Sequence, residues 1–174
     1  MCIRDRLATD AGAAPYAKPD PARAKQLLQE AGYKGEKVVL LYPTDHLSAP
    51  AVMVLAQNMK KAGIKVDVQS MDWASLAGRR LKKDPPEQGG WNIFLTWGGY
   101  YDASTPVTNP WLSAACGNSL PGWPCDKELD TLRTSWIRET DAGKRKEIAA
   151  QLQARAYQTC LLYTSPSPRD VEES

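Results

Sequence analysis

Between residues 20 and 71 the chain switches twice between hydrophobic periods. Asp20-Pro21 predicts a helix start, an Asx cap followed by proline at the first helical position, and Ala24, Leu27, Leu28 and Ala31 then recur at i, i+3, i+4 and i+7. Gly32 supplies a left-handed end for that helix. Lys37 to Tyr42 (KVVLLY) is a short, almost unbroken apolar run, the pattern of a parallel strand covered on both faces. After the turn Pro43-Thr44-Asp45, a second helix is predicted from near Ser48, with Pro50 in its first turn. Val52, Leu55, Ala56 and Met59 mark its stripe, and Gly63 stops it. Ile64, Val66 and Val68 then alternate with Lys65, Asp67 and Gln69, which predicts a half-buried strand. Strand, helix and strand in this span form a βαβ unit.

A weaker segment, Trp73 to Lys82, predicts a short helix that Asp84-Pro85-Pro86 ends, and Trp91 to Trp97 (WNIFLTW) predicts a third strand. A long loop follows from Gly98 to about Pro124, carrying Tyr100, Tyr101, Trp111 and Trp123 among glycines and prolines. Two helices close the pattern, one with Leu129, Leu132, Trp136 and Ile137 on its apolar face. The other carries Ile148, Leu152, Ala156 and Tyr157, with Asp141 as its cap. The fold class is therefore α/β: a small mixed, partly parallel sheet with a βαβ unit and two C-terminal helices. Such scaffolds host many functions, so periodicity alone does not choose among them. Ligand sites in these sheets gather beyond the carboxyl ends of strands, and a loop longer than ~15 residues is usually functional. The aromatic loop after the third strand is thus expected to line a site or an interface.

Composition narrows the classes. The 174 residues are 43% hydrophobic and 24% charged, enough for one domain with a real core. The 22 basic and 20 acidic residues are scattered, and a net charge of +2 with no basic stripe argues against nucleic acid as a partner. No apolar run approaches the ~20 residues of a membrane helix, and MCIRDRLATD lacks the apolar core of a signal peptide. Taken literally, that start would leave the chain in the cytoplasm.

Both ends look foreign to the protein between them. MCIRDR at 1–6 and CLLYTSPSPRD at 160–170 resemble translated sequencing-adapter text, and neither has the period of a structural element. A natural frayed tail is the other reading. The expected organisation is an artefactual or disordered end at 1–7, a body at 8–159 and an artefactual or disordered tail at 160–174. On that reading the true start was never read, and the missing signal peptide says nothing of localisation. Setting Cys2 and Cys160 aside leaves Cys116 and Cys125. The turn-forming stretch between them could bring their Cβ atoms within the ~4 Å a disulfide needs, which would suit an exported protein. Two buried free thiols are the alternative.

Enzymatic readings have little to stand on. His46 is the single histidine, on a polar turn with no nucleophile placed by a motif, and reads as a solvated loop residue. No GxGxxG, P-loop, HExxH or CxxC pattern occurs, so no catalytic residue, metal or cofactor is expected.

Several tracts together resemble the family 5 solute-binding proteins of dipeptide, oligopeptide and related ABC importers. They are DPARAKQLLQEAGY (20–33), AQNMKKAGIKVDVQSMDW (56–73), WNIFLTWGGYYDASTP (91–106) and GWPCDKELDTLRTSWIRETDAGKRKEIAAQLQARAY (122–157), in the family's order. The resemblance implies part of the C-terminal lobe of a periplasmic-binding-protein type II fold. It also implies a non-enzymatic, monomeric, periplasmic protein that closes around a small peptide or similar solute and delivers it to an ABC permease in the inner membrane. In peptide-binding members an aspartate shortly after a tryptophan pairs with the ligand ammonium, and the matching tract here is Trp97-Gly98-Gly99-Tyr100-Tyr101-Asp102. Asp102 falls later than that pattern, and a gapless match puts Tyr100 at the carboxylate position, which favours a neutral or sugar-like ligand. The candidate ligand residues are Trp97, Tyr100, Tyr101, Asp102 and Trp73. The rival reading is a cytoplasmic α/β enzyme or regulatory ligand-binding domain that shares the pattern.

Overall fold

The computed structural model describes residues 11–16, 18, 20–96, 102 and 104–159. Among them, 20–96 form one compact unit, and the described residues of 11–18 and 102–159 form a second.

In the first unit the order is α1 (Pro21–Glu30), β1 (Lys37–Pro43), α2 (Ala49–Lys61), β2 (Lys65–Met71), α3 (Trp73–Arg79) and β3 (Ile93–Phe94). The strands lie in the order β2-β1-β3, and both pairings are parallel, with Lys37 opposite Lys65 and Leu40 opposite Ile93. Among the described residues the sheet is parallel throughout, within the α/β class expected. β1 is central, and its period of two sorts its apolar run between two cores. Val38, Leu40 and Tyr42 pack with Val52, Ala56 and Met59 of α2, while Val39 and Leu41 pack with Leu76 of α3 and Trp91. That double burial is why KVVLLY carries no polar alternation. Leu40 and Leu41 are both fully buried, each contributing roughly 1.5–3 kcal/mol.

The helix ends follow from their caps. Asp20 accepts the Arg23 amide at 2.9 Å, and Asp72 accepts that of Ser75 at 2.9 Å. Gly63 ends α2 at φ 93°, a conformation that favours glycine. Three details depart from the sequence pattern. α1 buries none of its residues fully: Ala24 and Leu28 of its stripe are half-buried and Leu27 is exposed. α3 stops at Arg79 rather than Lys82. β3 is only two residues long, because Asn92 takes over the ladder beside Ile93: its amide donates to the Val39 carbonyl at 3.0 Å, and its Oδ1 accepts the Val39 amide at 2.7 Å.

The second unit is built on α4 (Lys127–Arg138) and α5 (Ala142–Gln158). Asp126 and Asp141 cap them, accepting the Leu129 and Lys144 amides, each at 2.8 Å. The core is small: Ala114, Leu129, Trp136, Ala149 and Leu152, with Leu132, Ile148 and Ala156 against it. Ile137, expected on the same face, is exposed, since the face centres on Leu129, Leu132 and Trp136. Polar and covalent ties surround this core. Cys116 and Cys125 form a disulfide, and the Cys116 amide donates to the Pro124 carbonyl at 3.0 Å. Arg133 donates to the carbonyls of Pro106 and Val107, both at 2.8 Å, and so pins the preceding loop on α4. Arg155 of α5 meets Asp126 Oδ2 through Nε at 3.0 Å and a terminal nitrogen at 2.8 Å, and Glu128 at 3.1 Å. Burial pushes the Asp126 carboxyl up, but the Leu129 amide and the Arg155 hydrogen bond and charge together hold it below the ordinary aspartate range.

Candidate functional site

In a parallel sheet every strand ends at the same edge, so the loops after β1, β2 and β3 leave together. Pro43 lies opposite Met71, and Leu41 opposite Phe94, so residues 44–48, 72–73 and 95–96 share the carboxyl edge. What stands there is an aromatic and cationic cluster.

Trp73 begins α3. Its amide donates to Asp45 Oδ1 at 2.7 Å, which ties the start of α3 to the turn after β1. The Thr44 amide adds a second tie, donating to the Met71 carbonyl at 2.9 Å. The half-buried imidazole of His46 stacks on Trp73 with centroids 4.1 Å apart and planes 13° from parallel. The Arg80 guanidinium carbon lies 5.5 Å from the Trp73 ring centroid and 5.8 Å from that of Phe94. Asp72 carries a carboxyl that the Ser75 amide and hydroxyl hold below its usual range. Behind the cluster, Ser48 is buried, with Oγ 2.8 Å from His46 Nδ1 and 3.2 Å from the Leu95 carbonyl oxygen. A flat indole face, a guanidinium and an imidazole offer stacking, charge and directed hydrogen bonds within one edge.

The candidate residues fall unequally. Trp73 is in the cluster. Asp102 is exposed and belongs to the second unit, and Trp97, Tyr100 and Tyr101 lie outside the described residues. Cys116 and Cys125 are bonded in the loop that leads into α4. Sequence reasoning passed over His46 and Arg80. For Arg80 a signal existed, because Trp73 and Arg80 stand at i and i+7, two turns apart on one helical face. For His46 there was none locally: its partner is far away in sequence, and the polar turn around it reads as solvent-exposed. The structure corrects that reading, since stacking on Trp73 and contact with Ser48 half-bury the ring.

Comparison with known proteins gives a consistent picture. The family model described as bacterial extracellular solute-binding proteins, family 5 Middle, matches residues 6–119. The Probable peptide ABC transporter periplasmic-binding protein y4tO of Sinorhizobium fredii is 35% identical over 135 residues, 77% of this chain and 25% of the relative. Among solved structures, the periplasmic murein tripeptide binding protein MppA in its unliganded open form superposes with a TM-score of 0.66 at 20% identity, covering 91% of this chain and 33% of that one. The mannohexaose-bound periplasmic oligopeptide-binding protein of Thermotoga maritima gives a TM-score of 0.64 at 17% identity, over 88% of this chain and 32% of that one. These likenesses carry the α/β fold. The chain spans about a quarter of the length of the curated relatives it matches. The length and strength of the sequence match carry the family: the chain belongs to the family 5 bacterial extracellular solute-binding proteins.

Proposed function

We propose that the chain is part of the C-terminal lobe of a longer, exported solute-binding protein, with residues 8–159 supplying the lobe and 1–7 and 160–174 lying outside it. The complete protein binds a peptide or peptide-like solute in the periplasm as a monomer, without catalysis, and hands it to an ABC permease in the inner membrane. The observation that carries this reading is the cluster of His46, Trp73 and Arg80 at the carboxyl edge of the sheet, in a chain whose family binds solutes. Trp73 is a wall of the site, and Trp97, Tyr100, Tyr101 and Asp102, which the family resemblance singles out, are the further residues to substitute in the complete protein. The peptide-transport name of the Sinorhizobium relative supports the solute class.

The test is titration calorimetry of the full-length protein with dipeptides, trialanine and mannohexaose. Reversible one-to-one binding of a peptide is expected, and a gene neighbourhood encoding a permease accompanies it. Failure of every peptide to bind overturns the peptide reading. Binding of mannohexaose instead establishes the second reading, a neutral oligosaccharide stacked on Trp73. The mannohexaose-bound relative favours that alternative, as does the late position of Asp102 in its tract.

A further inference from the structure

Arg79 and Arg80 are neighbours in sequence with different fates. A terminal nitrogen of Arg79 donates to the Gly90 carbonyl at 3.1 Å, which ties the end of α3 to the segment before β3. The Arg80 amide donates to the Leu76 carbonyl at 2.9 Å and fixes the backbone there, but the half-buried side chain lies against rings instead. Its guanidinium carbon is 5.5 Å from the Trp73 centroid and 5.8 Å from that of Phe94.

Ring faces attract a cation without neutralising it, and a guanidinium taken partly out of water is ordinarily matched by a carboxylate. Among the described residues Arg80 has no such match, since the ion pairs there use Arg23, Lys37 and Arg155. Its Nε is buried without a hydrogen-bond partner, while the terminal nitrogens are not buried. Two carboxylates of the same edge are engaged elsewhere. Asp45 accepts the Trp73 amide at 2.7 Å, and Asp72 accepts the Ser75 amide at 2.9 Å and its hydroxyl at 2.8 Å. Both are exposed, so water and salt screen their charge. What remains is a planar cation steadied by two rings, with its donors in a fork that matches a carboxylate.

We propose that Arg80 is a specificity-determining residue of the site: its terminal nitrogens bind a carboxylate of the solute, and Trp73 and Phe94 hold the guanidinium in place for it. This deepens the solute-binding reading and rests on the carboxyl edge being the solute site.

The test is calorimetry on the full-length protein with dialanine and trialanine, each as the free acid and as the C-terminal amide. Ala-Glu-Ala amide, whose single carboxylate is on a side chain, and mannohexaose complete the set. The acids are expected to bind about tenfold to a hundredfold more tightly than their amides. Arg80→Gln abolishes that difference and leaves the amides' affinity in place, and Arg80→Lys, a point charge without the fork, keeps part of it. Binding of Ala-Glu-Ala amide that Arg80→Gln abolishes places the carboxylate on a side chain and upholds the proposal. Acids and amides that bind the unmodified protein equally overturn it, and this comparison needs no variant to fold. A preference for the acids that survives in Arg80→Gln, or in Arg80→Lys at full size should Arg80→Gln not fold, assigns the carboxylate to another residue and also overturns it. Acid and amide weakened alike by Arg80→Gln leave Arg80 as cover for the two rings, and the proposal fails while the site stands. Mannohexaose binding without any peptide overturns the carboxylate and keeps the site. If no solute of the set binds, the solute-binding reading falls and the proposal with it.

Discussion

The two units solve the same problem by different means. Residues 20–96 place a strand between two apolar layers, with α2 on one face and α3 on the other, and need no covalent tie. The helical unit has one thin layer in which two of the five core residues are alanines. It adds a disulfide, an arginine clamp on two carbonyls and a two-helix ion pair. Where apolar area is short, specific polar and covalent links supply what burial does not. The difference also frees the first unit's polar side chains. Asp45, His46 and Ser48 join the loops that leave the sheet's carboxyl edge and so shape that edge.

The comparison is broken most directly at its strongest point. Leu41→Ala empties a fully buried position between β1 and α3 and is expected to cost about 2–5 kcal/mol, read as a lowered urea midpoint of the full-length protein. A cost below that of removing the disulfide would show that layered burial is not what distinguishes the first unit. Replacing both Cys116 and Cys125 by serine opens a loop of sequence separation 9 and is expected to cost ~2–3 kcal/mol. Faster hydrogen exchange in the first turn of α4 reports it. Unchanged exchange there would reduce the disulfide to a bystander.

Asp126→Ala comes next, at about 1–2 kcal/mol, because it removes the α4 cap and the partner of Arg155 in one step. Arg155 keeps a third of its side chain in solvent, so the ion pair adds only modestly to the cap. Arg155→Ala should therefore cost less than Asp126→Ala. The reverse order would mean that the charge pair, and not the cap, joins the helices.

How much of this was legible depended on whether the cause was local. The apolar run of β1 announced a doubly covered strand because its two faces alternate within seven residues. The caps at Asp20 and Asp141 were readable because a cap and its helix are neighbours in sequence. β3 was read too long because Asn92, a residue poor in strands, fills the ladder with its own side chain, which no pattern encodes. The edge cluster was mostly hidden for a related reason. His46 meets Trp73 only because the parallel register sets Pro43 beside Met71, and register is a tertiary fact. The exposed Leu27 shows the opposite limit, since an apolar stripe states a preference for burial without supplying the element that covers it.

The finest test of the contrast is pH. Asp126 is the lowered carboxyl that sits largely out of solvent, 9% exposed as a side chain. Glu36 and Asp72 in the first unit and Glu139 in the second are also lowered, but they lie at the surface, where water and salt screen them. In the unfolded chain an aspartate titrates at about 3.9. Because the folded Asp126 has the lower value, the unfolded state binds its proton first as pH drops. The stabilisation is therefore complete above the unfolded value and disappears as pH falls through the folded one. Acid should loosen α4 and α5 before the sheet, read by amide exchange between pH 5 and 3. Asp126→Asn keeps an oxygen for the Leu129 amide but gives Arg155 no charge, so it should lower stability at neutral pH slightly and flatten the acid limb. A limb equally steep in Asp126→Asn would assign the acid sensitivity to the surface carboxylates, and the link between α4 and α5 would then rest on the small core rather than on the charge pair.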